Sequence, residues 1–318
     1  MARRRKGTPI HGWIVLDKPL GMSSSQAVGA VRRLTGAMKA GHGGTLDPLA
    51  SGILPIALGE ATKTVAWAMA GRKTYRFTVR WGEARTTEDA EGAVAATSPH
   101  RPDRAAIEAA LPRFTGCIMQ RPPIYSAIKV DGARAYALAR AGEAAAAGTE
   151  AAAEIELAPR PVEIENFRLL AIPDEDHAEF ETRVGKGTYI RALARDLALA
   201  LGTVGYVAAL RRTSVGPFDE KVAISLDKLT SLGHSAAALG HLLPIETALD
   251  DIPALALTEA EAYRLRCGQA VTPMRPPERA RLDQLGNGVM VRAKTGGMLV
   301  ALAETDAGWL RPVRVINP

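Results

Sequence analysis

The segment GHGGTLDPLASG, residues 41–52, holds one carboxylate, Asp47, among four glycines and directly before a proline. Glycine clusters mark tight turns or places where another molecule approaches the main chain. An ionised acid displayed there can attack an electrophilic carbon or take up a proton. Taken alone it can equally cap the turn, as Asp-Pro pairs often do. His42 precedes it in the same turn and by itself reads as a turn or core histidine. Tyr75 stands in KTYRFTVRWG, where an aromatic is by default part of a core. In KGTYIR, Tyr189 and Arg191 are two apart, so an extended segment puts them on one face. There the guanidinium can hold a carboxylate in a two-bonded fork, or simply stand at the surface.

Several other chemistries lack their residues. The histidines, His11, His42, His100, His177, His234 and His241, have no metal-ligand spacing among themselves or with Cys117 and Cys267. Neither GxxxxGKS/T nor GxGxxG occurs, and no serine sits in a GxSxG elbow.

The elements that must carry these side chains are legible from periodicity. GWIVLDKP reads as a buried strand ended by a proline turn. SSSQAVGAVRRLTG follows as a serine-capped helix with Val28, Val31 and Leu34 on one face. After the glycine-rich loop come a strand ILPIAL and a helix EATKTVAWAMA. KTYRFTVRWG alternates Tyr75, Phe77, Val79 and Trp81 against polar neighbours, as a half-buried strand does. TTEDAEGAVAATSP reads as a loop and RPDRAAIEAALPRF as a helix. Asp131-Gly132 signals a hairpin, and the alanine-rich stretch near 142–153 reads as a surface insertion. RPVEIENFRLLAI and AEFETRV are strands, GKGTYIRALARDLALALG bends into an amphipathic helix, and YVAALRRTSVGPF returns as a strand. Past residue 250 a short helix and three short glycine-joined strands form a small β-rich module. Mixed elements without regular βαβ alternation favour an α+β fold.

The chain has 318 residues, 47% of them hydrophobic, a net charge of +6 and two widely spaced cysteines. This fits a globular protein of a reducing cytoplasm, without a disulfide framework. No apolar run suits a membrane span, and the basic start MARRRKG lacks the apolar stretch of a signal peptide. Basic clusters interleaved with aromatic or apolar residues, as in GRKTYRFTVRWGEAR and LRRTS, point to a nucleic-acid partner before a membrane.

GHGGTLDPLASGILPIALGEATK, KTYRF, GKGTYIRALARDL and VAALRRTSVGPF occur in the order, and near the spacing, of the bacterial tRNA pseudouridine synthase B family. GWIVLDKPLGMSS and QRPPIYSAIKVDGARAYALAR also match, so the resemblance covers nearly the whole chain. It implies an α+β pseudouridine-synthase core on a mixed, mainly antiparallel sheet over residues 1–250, with a basic N-terminal arm. A C-terminal PUA-like RNA-binding domain over 251–318 is implied as well. The implied activity is conversion of uridine 55 in the T loop of tRNA to pseudouridine, by a cytoplasmic monomer without metal or other cofactor. By position, Asp47 matches the family's catalytic aspartate, Tyr75 the tyrosine stacked on the target base, and Arg191 the arginine paired with the aspartate. Tyr189 matches the second pocket tyrosine, Leu210 a pocket leucine, and Lys18 the lysine of LDKP, and the resemblance implies that all three bind the substrate. His42 matches the histidine that displaces and holds T-loop bases.

Two features depart from the family pattern. Gly43 replaces the usual threonine after the histidine, and the alanine-rich stretch is longer than usual. A rival class is a tRNA-binding protein that folds RNA without chemistry. Asp47, Tyr75, Tyr189 and Arg191 together argue against it, because pure binding of a phosphate-rich ligand needs no carboxylate. Whether the aspartate attacks the sugar or abstracts a proton is left open by the residues.

Overall fold

The computed structural model describes residues 7–126, 129–130, 133–134, 157–233 and 236–317. The alanine-rich stretch and the basic N-terminal arm lie outside them. Its principal element is a mixed sheet. Strands lie side by side in the order Ile224–Ser225, Gly12–Lys18, Ala50–Leu58, Gly205–Val215, Lys73–Trp81, His177–Val184, Arg160–Asp174 and Gly116–Gln120. The pairings Leu16↔Ile224 and Leu210↔Ala50 are parallel, and the rest along this order are antiparallel.

Local sequence explains the flanking helices. Ser23 caps the helix Ser24–Thr35 in a reciprocal box with Gln26, and Gly36 ends it in the left-handed conformation. Ala27 and Val31 bury against Ile14, Leu16, Leu54 and Ile56 of the sheet; Val28 and Leu34 are only partly covered. The amphipathic helix Ile190–Ala200 presses Ile190, Leu193 and Leu197 onto Phe77, Val79, Trp81 and Phe180. Burying a side chain of this size contributes about 1.5–3 kcal/mol, so these two clusters hold the helices to the sheet. Tyr75 and Leu210 pack against both clusters, at the seam between them.

Three expectations change. EATKTVAWAMA divides into a 3-10 turn Gly59–Lys63 and a helix Val65–Ala70, with the Thr64 hydroxyl donating to Ala61 O at the break. The expected loop 86–99 contains a strand, Val94–Thr97, paired with Glu83–Arg85. All four of its residues are exposed, so it has no buried face and leaves no alternating pattern in the sequence. The helix Pro276–Leu285 was not anticipated; it buries Leu282 alone, too little for an apolar stripe. On either side of Asp131-Gly132, Lys129–Val130 and Ala133–Arg134 pair antiparallel.

A second, four-stranded sheet runs Ala254–Ala256, Met290–Thr295, Met298–Asp306 and Trp309–Val315. It has its own core around Leu255, Leu265, Val291, Val300 and Leu310. Leu299, Leu302 and Ile316 pack with Leu249, Trp67 and Ile245 of the larger body, and the Lys63 ammonium donates to Val315 O. Among the described residues no helix is long and apolar enough to cross a membrane.

Candidate active site

The two strands flanking Gly205–Val215 bring distant segments together. Leu210 faces Ala50, at the foot of the glycine-rich loop, and also Phe77, two residues beyond Tyr75. Above this junction lies a cleft of about 860 Å³, within the size range of small-ligand sites. Asp47, Tyr75, Tyr189, Arg191 and Leu210 all line it. Lys73, Arg160, Lys186, Arg191 and Arg212 surround Asp47, the single acid of the lining among the described residues, a field suited to a polyanion.

The loop that presents Asp47 is gripped from outside the cleft. The Ser24 hydroxyl donates to Leu46 O at 2.9 Å and accepts from Leu46 N at 2.8 Å. Gly21 N donates to Pro48 O. Lys18 was expected at the substrate, but it is fully buried behind the loop and does not line the cleft. Its ammonium donates to Met22 O at 2.7 Å, Pro19 O at 2.9 Å and Pro48 O at 3.5 Å. Burial pulls this ammonium down to about 8; the charge of Asp47 opposes the fall and that of Arg212 adds to it. Gly43 is buried, and a Cβ there would sit 3.1 Å from Ala68 Cβ and 3.3 Å from Trp13. This chain fills with its neighbours the space that a threonine side chain would need.

Arg191 is the electrostatic centre. Its side chain is 8% exposed, and one terminal nitrogen lies 3.1 Å from the half-exposed carboxylate of Asp47. The other nitrogen lies 3.7 Å from Asp89. Backbone carbonyls of Thr87 and Tyr125 each accept from it at 2.9 Å. One guanidinium therefore aims Asp47 while its own charge is balanced and both terminal nitrogens have backbone acceptors. Asp89 was missed in the sequence, because nothing in TTEDAEG marks one acid as facing inward. The extended reading of KGTYIR ends at Tyr189, the N-cap of the helix Ile190–Ala200. Tyr189 and Arg191 both reach the cleft because the chain turns there.

Gln120 was also missed. It is buried, and its side-chain amide brackets Tyr189, accepting from Tyr189 N at 2.9 Å and donating to Tyr189 O at 3.1 Å. Burial pushes the Tyr189 hydroxyl up, so it remains a neutral donor at neutral pH. Lys73, donating to Met69 O and Gly71 O, is drawn down to about 8 by burial, with Arg212 and Lys186 adding. His42 lies on the short strand Ala40–His42 that enters the loop and is not part of the cleft lining. Burial, then Arg212, lowers its imidazole, and its Nδ1 is buried without a partner among the described residues.

Residues 32–190 match the model of the TruB family pseudouridylate synthase N-terminal domain. Residues 191–250 match that of the tRNA pseudouridylate synthase B C-terminal domain. The tRNA pseudouridine synthase B of Rhodospirillum rubrum is 54% identical, with 100% of both chains covered. That of Bradyrhizobium diazoefficiens is 56% identical over 99% of this chain and 88% of its own. Among solved structures, a Cbf5-Nop10-Gar1 complex matches with a TM-score of 0.70 at 25% identity, over 100% of this chain and 92% of that one. The archaeal box H/ACA sRNP Nop10-Cbf5 complex, at 23% identity and a TM-score of 0.69, covers 100% and 93% and shares the fold.

Proposed function

Because the chain belongs to the TruB family of pseudouridylate synthases and forms pseudouridine in tRNA, we propose that its target is uridine 55 of the T loop and that Asp47 drives the rearrangement. The observation that carries this reading is the Asp47–Arg191 pair at 3.1 Å in a cleft lined by Tyr75 and Tyr189. A uracil stacked in a folded loop cannot turn over, so the nucleotide is flipped into the cleft. Tyr75 stacks on the base, Leu210 closes the apolar floor, and Tyr189 offers its hydroxyl. The N1–C1′ bond breaks, either by attack of Asp47 on C1′ or after the carboxylate removes a ribose proton. The freed uracil carries negative charge, which the surrounding cations stabilise. It rotates and joins C1′ through C5, a step that on the first route breaks the bond between Asp47 and C1′ and on the second returns the ribose proton from the carboxylate to the sugar. The C5 proton then leaves and N1 gains one, so atoms and charge balance.

His42 stands outside the cleft and is assigned to the displaced T-loop bases rather than the target uracil. Lys18 supports the loop from behind. The domain of residues 251–318 holds tRNA phosphates beyond the T loop, and the enzyme works as a cytoplasmic monomer.

Mapping pseudouridine after incubation with unmodified tRNA tests the assignment. Modification at position 55, and its loss when that uridine is replaced by cytidine, is the expected result; modification elsewhere with position 55 untouched overturns it. An isolated T-arm stem-loop provides a second reading. Whole tRNA should bind with the steeper dependence on salt, because more phosphates release counterions. Equal slopes would remove the C-terminal domain from the binding surface.

Tyr75→Phe keeps the stacking ring and loses only the hydroxyl. If that hydroxyl assists removal of the C5 proton, tRNA binding stays within about twofold while turnover falls about 100-fold, the scale of general acid–base catalysis. Full turnover by this variant excludes the hydroxyl from the reaction.

A further inference from the structure

Two adjacent arginines, Arg211 and Arg212, point to opposite faces of the strand Gly205–Val215. Arg211 meets two carboxylates, Asp17 at 2.9 Å and Glu220 at 2.7 Å. Arg212 is 1% exposed and has no carboxylate within ion-pair distance among the described residues. Its partners are three backbone carbonyls: Nε donates to Ile53 O at 2.8 Å, and the terminal nitrogens donate to Thr45 O at 3.0 Å and Gly44 O at 3.1 Å. Burying a guanidinium without a counter-charge is costly. Arg212 bears it beside Lys18, Lys73 and His42, each of which its charge pushes toward the neutral form.

The three carbonyls belong to the two feet of the loop that carries Asp47. Gly44 and Thr45 lie just before Asp47, and Ile53 lies on the strand just after it. The backbone at both feet is built for this approach. Gly44 has φ +134° and Gly52 has φ +103°, a region that favours glycine. At Gly52 a Cβ would lie 2.2 Å from Arg212 O, so the loop's second foot can rest on this arginine only if the residue is glycine. Lys18 and Ser24 hold the loop from the other side through Pro48 and Leu46. The planar fork, with N–H groups diverging at fixed angles in one plane, reaches carbonyls on both feet at once; a compact ammonium on a flexible stem does not reproduce those directions.

We propose that Arg212 is a positioning residue for pseudouridine formation: its guanidinium ties the two feet of the Asp47 loop together and thereby sets where the carboxylate points. It acts through Asp47: although it borders the cleft, it is 1% exposed and its guanidinium is turned to the three carbonyls. The inference rests on Asp47 as the acting carboxylate.

Arg212→Lys keeps the charge and loses the fork. Displacing a reacting group by about 1 Å costs on the order of 100-fold in rate. The expected result is therefore a single-turnover rate down about 100-fold, with the dissociation constant for tRNA within about threefold of the parent. Retained tRNA binding also reports that the variant is folded. Arg212→Ala leaves a space that ethylguanidinium should enter, recovering at least about tenfold of the lost rate, whereas propylammonium, a charge without the fork, should recover none. A wild-type rate for Arg212→Lys overturns the proposal. So does a loss confined to tRNA binding, or equal rescue by both cations, which would assign the effect to charge alone. Asp47→Asn is run alongside: activity in that variant removes the reading on which the tie depends, whereas an active Arg212→Lys beside an inactive Asp47→Asn removes only the tie.

Discussion

Tritium release from C5-labelled uridine in tRNA is expected to fall below detection in Asp47→Asn, while filter binding shows tRNA held as tightly as before or slightly more so. The substitution is nearly isosteric, and the loop is held by contacts to its main chain at Gly44, Thr45, Leu46 and Pro48, none of which involves the carboxylate. It removes the charge that either attack on C1′ or proton abstraction requires. Such losses commonly reach four or more powers of ten, about 1.4 kcal/mol for each. It also removes the one acid from a cleft that, among the described residues, is lined by five cations, which favours a phosphate-rich ligand. Arg191 keeps Asp89 and two carbonyls. The Asp47 side chain is 42% exposed, so its pairing is screened and the stability change stays near or below about 1 kcal/mol. Substantial tritium release by the asparagine variant would rule out Asp47 as the acting group.

Arg191→Met should be damaging in a second way. The guanidinium is buried between two carboxylates and two carbonyls, so its loss disorients Asp47, takes a donor from each carbonyl and leaves the buried Asp89 without its cation. Removing one partner of a buried pair costs about 3–5 kcal/mol. At roughly 2–4 °C per kcal/mol for a body of this size, the melting temperature should drop by about 6–20 °C. Turnover should fall by about three powers of ten at temperatures where the protein is still folded, because the aspartate is no longer aimed. Adding Asp89→Asn removes the orphaned charge, so the double variant should be more stable than Arg191→Met yet no more active. Recovery of activity along with stability would show that Arg191 matters to folding alone. A single variant retaining more than about a tenth of the parent rate would break the link between this pair and catalysis.

The strands and helices around the site were legible because each signal is local. Alternation in KTYRFTVRWG, the serine cap and closing glycine of residues 23–36, and the apolar stripe of IRALARDLALA all read from neighbouring residues. The exposed strand Val94–Thr97 and the helix Pro276–Leu285 were not, because they bury too little to impose a period on their residue types.

The residue types and order of the loop, the KTYRF strand and the KGTYIR bend were enough, through their likeness to a family, to name Asp47, Tyr75, Tyr189, Arg191 and Leu210 before any contact was known. Which of the remaining polar residues face them depended on tertiary structure. The pairing of Gly205–Val215 with both Ala50–Leu58 and Lys73–Trp81 brings Arg212 under the Asp47 loop. The start of a helix at Ile190 puts Arg191 between Asp47 and Asp89. Packing turned Lys18 away from the cleft into three carbonyls and left His42 outside the lining. A side chain's partners are decided by which strands lie next to one another and by one-residue register, since successive residues point to opposite faces. Arg211 on two carboxylates and Arg212 on three carbonyls are the same residue type, one position apart, set to different tasks by that alternation alone.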